Sequence, residues 1–332
     1  MLSQQAFRVG DAIVEVDADD VALRHRFDEI YGECAVAVPA AEERTLPTVR
    51  LTTRETRGQV HATFDGAPPI AIGPFIDAIF PGRGFETATD SGAQVVRVRM
   101  PGNGGDATFS ADGATMDAGS GSDWRPLAAN VAVARAIAMQ QALLFFHATS
   151  ARVHGRALMA CGPKKAGKTT LGLALGVRGH GLYGDELAAL RLDRGELVAV
   201  RRSLSVREGV ASVRAAEALA RLDAVRERYP DGEWRTRTSV TSVTGDGPPP
   251  PAPLSAIFLL RRFASRPSAD LVPPSPAVVA ALTPLGASMW GRAPGALLMT
   301  MLRQLARTRI FQLDAGPPDD TAALVEHLME TT

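Results

Sequence analysis

One short stretch constrains this chain more than any other: Gly162-Pro163-Lys164-Lys165-Ala166-Gly167-Lys168-Thr169 has the form G-x-x-x-x-G-K-[ST]. Glycine lets the backbone curl so that successive amides point inward at phosphate oxygens, and a following helix adds the positive end of its dipole. Lys168 reaches the outer phosphates as a charge, the Thr169 hydroxyl suits the magnesium ion that bridges them, and Thr170 supports it. The pattern needs a strand before it and a helix after it. Arg156 to Cys161 is an apolar strand candidate, and Leu171, Leu173, Ala174 and Leu175 give helical spacing from about Lys168 to Val177. The expectation is an α/β fold whose P-loop, Gly162 to Thr170, holds a nucleoside triphosphate with Mg2+. Lys164 and Lys165 stand where small residues are more usual; extra charge toward phosphate and simple exposure both remain open.

A second element follows in Gly184-Asp185-Glu186, an acidic pair at the end of the strand candidate Gly181 to Leu182. A carboxylate there can face a triphosphate and its metal, with Thr169, Asp185 and Glu186 as candidate metal ligands. The competing reading is a pair of solvated turn residues.

Around this block the chain divides by pattern. Phe7 to about Gly121 reads as short strands and turns: Ala12 to Val16, Thr48 to Thr52, Gln59 to Phe64, Val95 to Met100 and a hairpin through Ala107 to Met116, with one helical stretch, Asp20 to Glu33. A domain boundary near residue 122 separates this sheet-rich part, mainly β or α+β, from a second domain over 123–332. That domain opens with a buried helical run ending near Phe146. Later come a strand candidate Leu187 to Leu192, an alanine-rich helix between Val210 and Arg228, and a polar, proline-rich stretch over 230–253 that reads as a mobile loop. A strand Leu254 to Leu260 returns to the core. Helices near Pro276 to Leu285, Pro294 to Arg307 and Asp319 to Glu330, with a strand at Arg309 to Leu313, close the chain.

Composition narrows the partners. With 36 basic and 36 acidic residues there is no global field to gather nucleic acid or an anionic membrane. The most apolar long run, Leu127 to Phe146, contains Asn130, Arg135, Gln140 and Gln141, which argues for a buried helix over a membrane span. Two cysteines far apart, Cys34 and Cys161, suit neither a disulfide framework nor a zinc site, and the N-terminus lacks the pattern of a secretory signal, so the expected location is a reducing cytoplasm.

Gly162 to Thr170, followed by Arg178-Gly179-His180-Gly181-Leu182-Tyr183-Gly184-Asp185-Glu186, resembles the catalytic core of HPr kinase/phosphorylase, which shares its fold with carboxykinase-like enzymes. The resemblance runs over about residues 145 to 192 and implies that Asp185 acts on an acceptor hydroxyl. It also implies that His147, in Phe146-His147-Ala148-Thr149-Ser150, lies near the transferred phosphate, so Asp185, His147 and Lys168 are the catalytic candidates. Lys164-Lys165 replaces the family's small Ser-Gly, and Thr170 stands where many members carry glutamate, so the likeness is to the divergent HPr-kinase-like proteins of biosynthesis clusters. The implied activity is ATP- and Mg-dependent transfer to a serine or threonine of a protein or peptide, with Arg201, Arg202, Arg207, Arg235 or Arg237 closing on the phosphoryl group. A nucleotide-binding regulatory protein without transfer and a small-molecule kinase on the same fold are the rival readings; a homo-oligomer is left open.

Overall fold

The computed structural model describes residues 4–38, 45–70, 72–79, 85–90, 92–99, 105–122, 124–207, 213–222, 224–228, 234–286 and 302–331. They form a mixed α/β structure that divides into two compact units between Gln141 and Ala142.

The first unit is built on a nine-stranded sheet ordered β3-β1-β2-β4-β5-β9-β8-β7-β6. Its strands are β1 Gln5–Val9, β2 Ala12–Ala18, β3 Ala35–Val36, β4 Thr48–Thr56, β5 Gln59–Asp65, β6 Phe85–Asp90, β7 Ala93–Arg99, β8 Asp106–Ser110 and β9 Thr115–Gly119. Its helices are α1 Val21–Tyr31, α2 Ile72–Ile79 and α3 Arg125–Ala138. Asp20 starts α1 by accepting from the Leu23 amide at 2.7 Å, and the same carboxylate takes a two-pronged contact from Arg125 at the start of α3.

Helix α3 corrects two expectations. It belongs to the first unit, so the division falls after Gln141 rather than near residue 122. The helical run also ends at Ala138, and Leu143 to Phe146 form a strand. The polar residues inside the run explain its placement. Arg135 donates to the carbonyls of Asp112 and Ala67, and Gln140 to that of Val9, so they satisfy chain ends of the first sheet from a buried position. Among the described residues no helix is long and apolar enough to cross a membrane.

The second unit contains β10 Leu143–Phe146, β11 Ala148–Val153, β12 Arg156–Cys161, α4 Lys168–Val177, β13 Gly181–Gly184, β14 Ala188–Arg191 and β15 Glu196–Val198. Then come β16 Leu204–Arg207, α5 Val213–Arg221, β17 Val225–Arg228, β18 Trp234–Thr238, α6 Val240–Thr244, β19 Ala252–Phe263, β20 Ser268–Val272, α7 Pro276–Leu282, β21 Arg309–Ala315 and α8 Pro318–Glu330. The main sheet runs β10-β14-β15-β19-β12-β11-β13, with β21 on β19 and β20 on β21; β16, β18 and β17 form a small separate sheet. Strand β19 lies parallel to both β12 and β21.

Both faces of β12 are buried, as its unbroken apolar run demands. Leu158 and Ala160 meet Leu171, Leu173, Ala174 and Leu175 of α4 on one face. Ala157, Met159 and Cys161 meet Ile257, Ile310 and Leu282 on the other.

Two further expectations change in this unit. The alanine-rich helix expected from Val210 to Arg228 ends at Arg221, and Val225–Arg228 is a strand paired with β18. The stretch expected as a mobile loop is, from Trp234 onward, a strand, a short helix and a pinned proline segment; residues 229–233 lie outside the described residues. The pin is Arg201, which donates to Leu182 O, Thr241 Oγ1, Asp246 O and Gly247 O, while Tyr183 Oη donates to Pro250 O at 3.0 Å. Most of the helix expected near Pro294 to Arg307 lies outside the described residues.

Candidate functional site

Residues Gly162 to Gly167 connect β12 to α4 as a loop, with Pro163, Lys164 and Lys165 exposed. Gly167 has φ +94°, a conformation open to glycine at no steric cost, and it delivers Lys168 as the first residue of the helix. Lys168 is 6% exposed, and its Nζ donates to the carbonyls of Gly162 at 2.8 Å and Pro163 at 3.0 Å. Burial lowers its pKa, and the charges of Asp185 and Glu186 oppose that shift. Thr170 sits half-buried in the first turn of α4.

Thr169 joins the loop to the acidic pair: its Oγ1 donates to Asp185 Oδ2 at 2.7 Å. Asp185 follows β13, whose last carbonyl, Gly184 O, receives Ser150 Oγ at 3.3 Å and Thr149 Oγ1 at 3.5 Å from β11. Asp185 is 2% exposed, and among the described residues nothing hydrogen-bonds its Oδ1. A buried acceptor with no partner is costly, which marks this oxygen as one waiting for a donor or a cation. Burial first, and then the charge of Glu186, push the Asp185 carboxyl up to about 6.

Glu186 is held differently. The Arg202 guanidinium pairs with it and, more than any other cause, brings its carboxyl down to about 2. Its φ of +61° is strained for a non-glycine residue, of the order of 1 to 3 kcal/mol, and such strain is retained where surrounding contacts fix the conformation. As a metal ligand, Glu186 would share its carboxylate with Arg202.

His147 precedes β11 and is half-buried. Burial lowers its pKa to about 4, with Glu186 opposing, and its ring is hydrogen-bonded to the Glu186 main chain. The imidazole is therefore neutral at pH 7. Its electrostatic neighbours are Glu186, Lys168 and Arg202.

The five arginines separate. Arg201 serves the proline segment, as described above. Arg237 is buried against Ser203 and Glu227. Arg202, Arg207 and Arg235 act on the site, the last two through their fields on Lys168 and Glu186. With Lys168 they set four cationic groups against two carboxylates, an excess suited to a polyanion. Among the described residues no cluster of three or more His, Cys, Asp or Glu side chains is arranged to hold a metal by itself. Oxygens of Thr169 and Asp185 are the hard donors that suit magnesium when phosphate supplies the remainder.

Sequence reasoning missed Phe263, whose ring lies against Gly167. It also left Arg202 undistinguished among five arginines.

No protein-family model matches the chain, and no curated protein matches it. Among solved structures it is similar to the Hpr(Ser) kinase/phosphatase from Coxiella burnetii, at 14% identity and a TM-score of 0.29, over 58% of this chain and 90% of that one. That likeness is weak. The resemblance stated from the sequence therefore stands on the residues between Phe146 and Glu186 alone.

Proposed function

We propose that the chain is an ATP- and Mg-dependent phosphotransferase acting on a hydroxyl, with a serine or threonine of a protein or peptide as acceptor. One observation carries the reading. Asp185 is a buried carboxylate, tied by one oxygen to the threonine that follows the loop lysine and, among the described residues, without a hydrogen-bond partner on the other. A solvated turn residue has no need of that burial.

Oδ1 receives the proton of the acceptor hydroxyl as the hydroxyl oxygen forms its bond to the terminal phosphorus and the bond from that phosphorus to the bridging oxygen of ADP breaks. A carboxyl raised to about 6 is still mostly ionised at pH 7 and is a stronger base than an ordinary one. Lys168 exchanges its contacts with the loop carbonyls for phosphate oxygens, and the loop amides hold the leaving diphosphate. A magnesium ion held by Thr169 and Asp185, with Glu186 in reach as a third oxygen donor, would supply charge neutralisation to the phosphates. Neutral His147 holds the Glu186 backbone in place. The acceptor class rests on the sequence resemblance to HPr kinase/phosphorylase.

The test is incubation with γ-labelled ATP and magnesium alongside peptide and protein acceptors, comparing wild type, Lys168→Ala and Asp185→Asn. Wild type is expected to label serine or threonine, with both variants reduced about 100-fold or more and Asp185→Asn still binding ATP. If ATP binds but no acceptor is labelled, the phosphotransferase reading gives way to a nucleotide-dependent switch.

A further inference from the structure

The Phe263 ring is 59% exposed. Single exposed aromatics are ordinary on protein surfaces, so the position matters more than the exposure. A Cβ built on Gly167 would meet Phe263 Cζ at 3.2 Å and Cε1 at 3.4 Å, which places the ring directly on the last loop residue before Lys168.

The sheet explains how it gets there. Strand β19 runs parallel to β12, their register ends at Leu259 opposite Cys161, and β19 continues past the loop to Phe263. That end is fixed: Phe263 pairs with Ala315 of β21, the Ala264 amide donates to Ala315 O at 2.7 Å, and Arg262 Nε donates to Asp314 at 3.0 Å. The ring is therefore presented by paired strand backbone, which keeps its position defined before any ligand arrives. In the order β19-β12-β11-β13, Phe263 lies on one side of the loop strand, and Asp185, which follows β13, on the other. A nucleotide whose reacting phosphate meets Asp185 directs its sugar and base away from that carboxylate, toward the β19 side.

We propose that Phe263 is the platform on which the base of the bound nucleotide stacks, so that the nucleoside as well as the phosphates sets affinity. The proposal rests on the nucleotide reading of the loop. Every base offers a π face, so the platform adds affinity without selecting among bases. Loss of one base–aromatic stack weakens binding about 10- to 100-fold.

The experiment is calorimetric titration with Mg-ATP, Mg-GTP and magnesium tripolyphosphate, on wild type, Phe263→Ala, Phe263→Tyr and Lys168→Ala. Phe263→Ala is expected to weaken ATP and GTP alike by that factor, leave tripolyphosphate unchanged, and be rescued in Phe263→Tyr; Lys168→Ala weakens all three. The platform is overturned if Phe263→Ala leaves ATP affinity unchanged, or weakens tripolyphosphate equally, which would mean a disturbed loop. Wild type binding neither ATP nor tripolyphosphate would remove the nucleotide reading itself, and the platform with it.

Discussion

Asp185 and Glu186 are neighbours driven in opposite directions, one up to about 6 by burial and the other down to about 2 by Arg202. The sign of the Asp185 shift has a measurable consequence in protein stripped of metal and nucleotide. An unfolded aspartate ionises near pH 4, so between about pH 4 and 6 the folded chain holds a proton that the unfolded chain has released. Rising pH therefore costs stability across that window. Asp185→Asn keeps an acceptor for Thr169 and does not titrate, so its stability relative to wild type should grow by up to about 3 kcal/mol between pH 4 and 7. His147, with its pKa lowered to about 4, works the other way, losing stability as pH falls from about 6.5, but it is common to both proteins and cancels in the difference. Urea unfolding of both proteins in EDTA at the two pH values measures it, and a pH-independent difference would contradict a buried, titrating Asp185. At this scale the sequence was readable where the chemistry is local: the loop glycines, Lys168 and Thr169 fall within one turn of chain. Arg202 and Phe263 were not readable, because their partners Glu186 and Gly167 are brought to them by strand pairing that spacing does not encode.

The same distinction holds for the elements. Strand β12 and helix α4 were legible because the loop motif demands a strand before it and a helix after it, and helix α8 because its apolar residues recur at helical spacing. The run from Leu127 to Phe146 was not, since four buried apolar residues in sequence fit a strand as well as a helix, and β10 is such a strand. Helix α4 sits close on β11 through Gly172: a Cβ there would lie 2.5 Å from Thr149 Oγ1. Alanine at an interior helical position is favoured over glycine by about 1 kcal/mol, yet an overlap of this size in a packed core costs about 1 to 3 kcal/mol. The clash should win. Gly172→Ala is therefore expected to lower stability, whereas Gly172→Ala combined with Thr149→Ala should recover most of the loss, because Thr149 gives up only its 3.5 Å contact to Gly184 O. A thermal-melt double-mutant cycle gives the coupling, and additive losses would mean that α4 does not rest on β11 at this point.

For the whole molecule, the two units differ in how much of them the sequence disclosed. The second carries the motifs, while the first, among the described residues, has a nine-stranded sheet and three helices but no constellation of reactive side chains that pattern alone would single out. Every residue assigned here to phosphate, metal, acceptor or base lies between His147 and Phe263, within the second unit. That unit has its own core on both faces of β12 and β19, with Leu171, Phe258 and Phe311 on one face and Ile257, Ile310 and Leu282 on the other. A domain with a complete core can fold alone. A fragment beginning at Ala142 is therefore expected to fold cooperatively and to bind Mg-ATP within about threefold of the full chain, a difference smaller than 1 kcal/mol. Calorimetry on the fragment and the full chain, after circular dichroism has established that the fragment is folded, makes the comparison. A folded fragment that binds tripolyphosphate normally but ATP weakly would assign part of the nucleoside site to the first unit. One that binds ATP normally yet transfers no phosphate would assign the first unit to acceptor recognition.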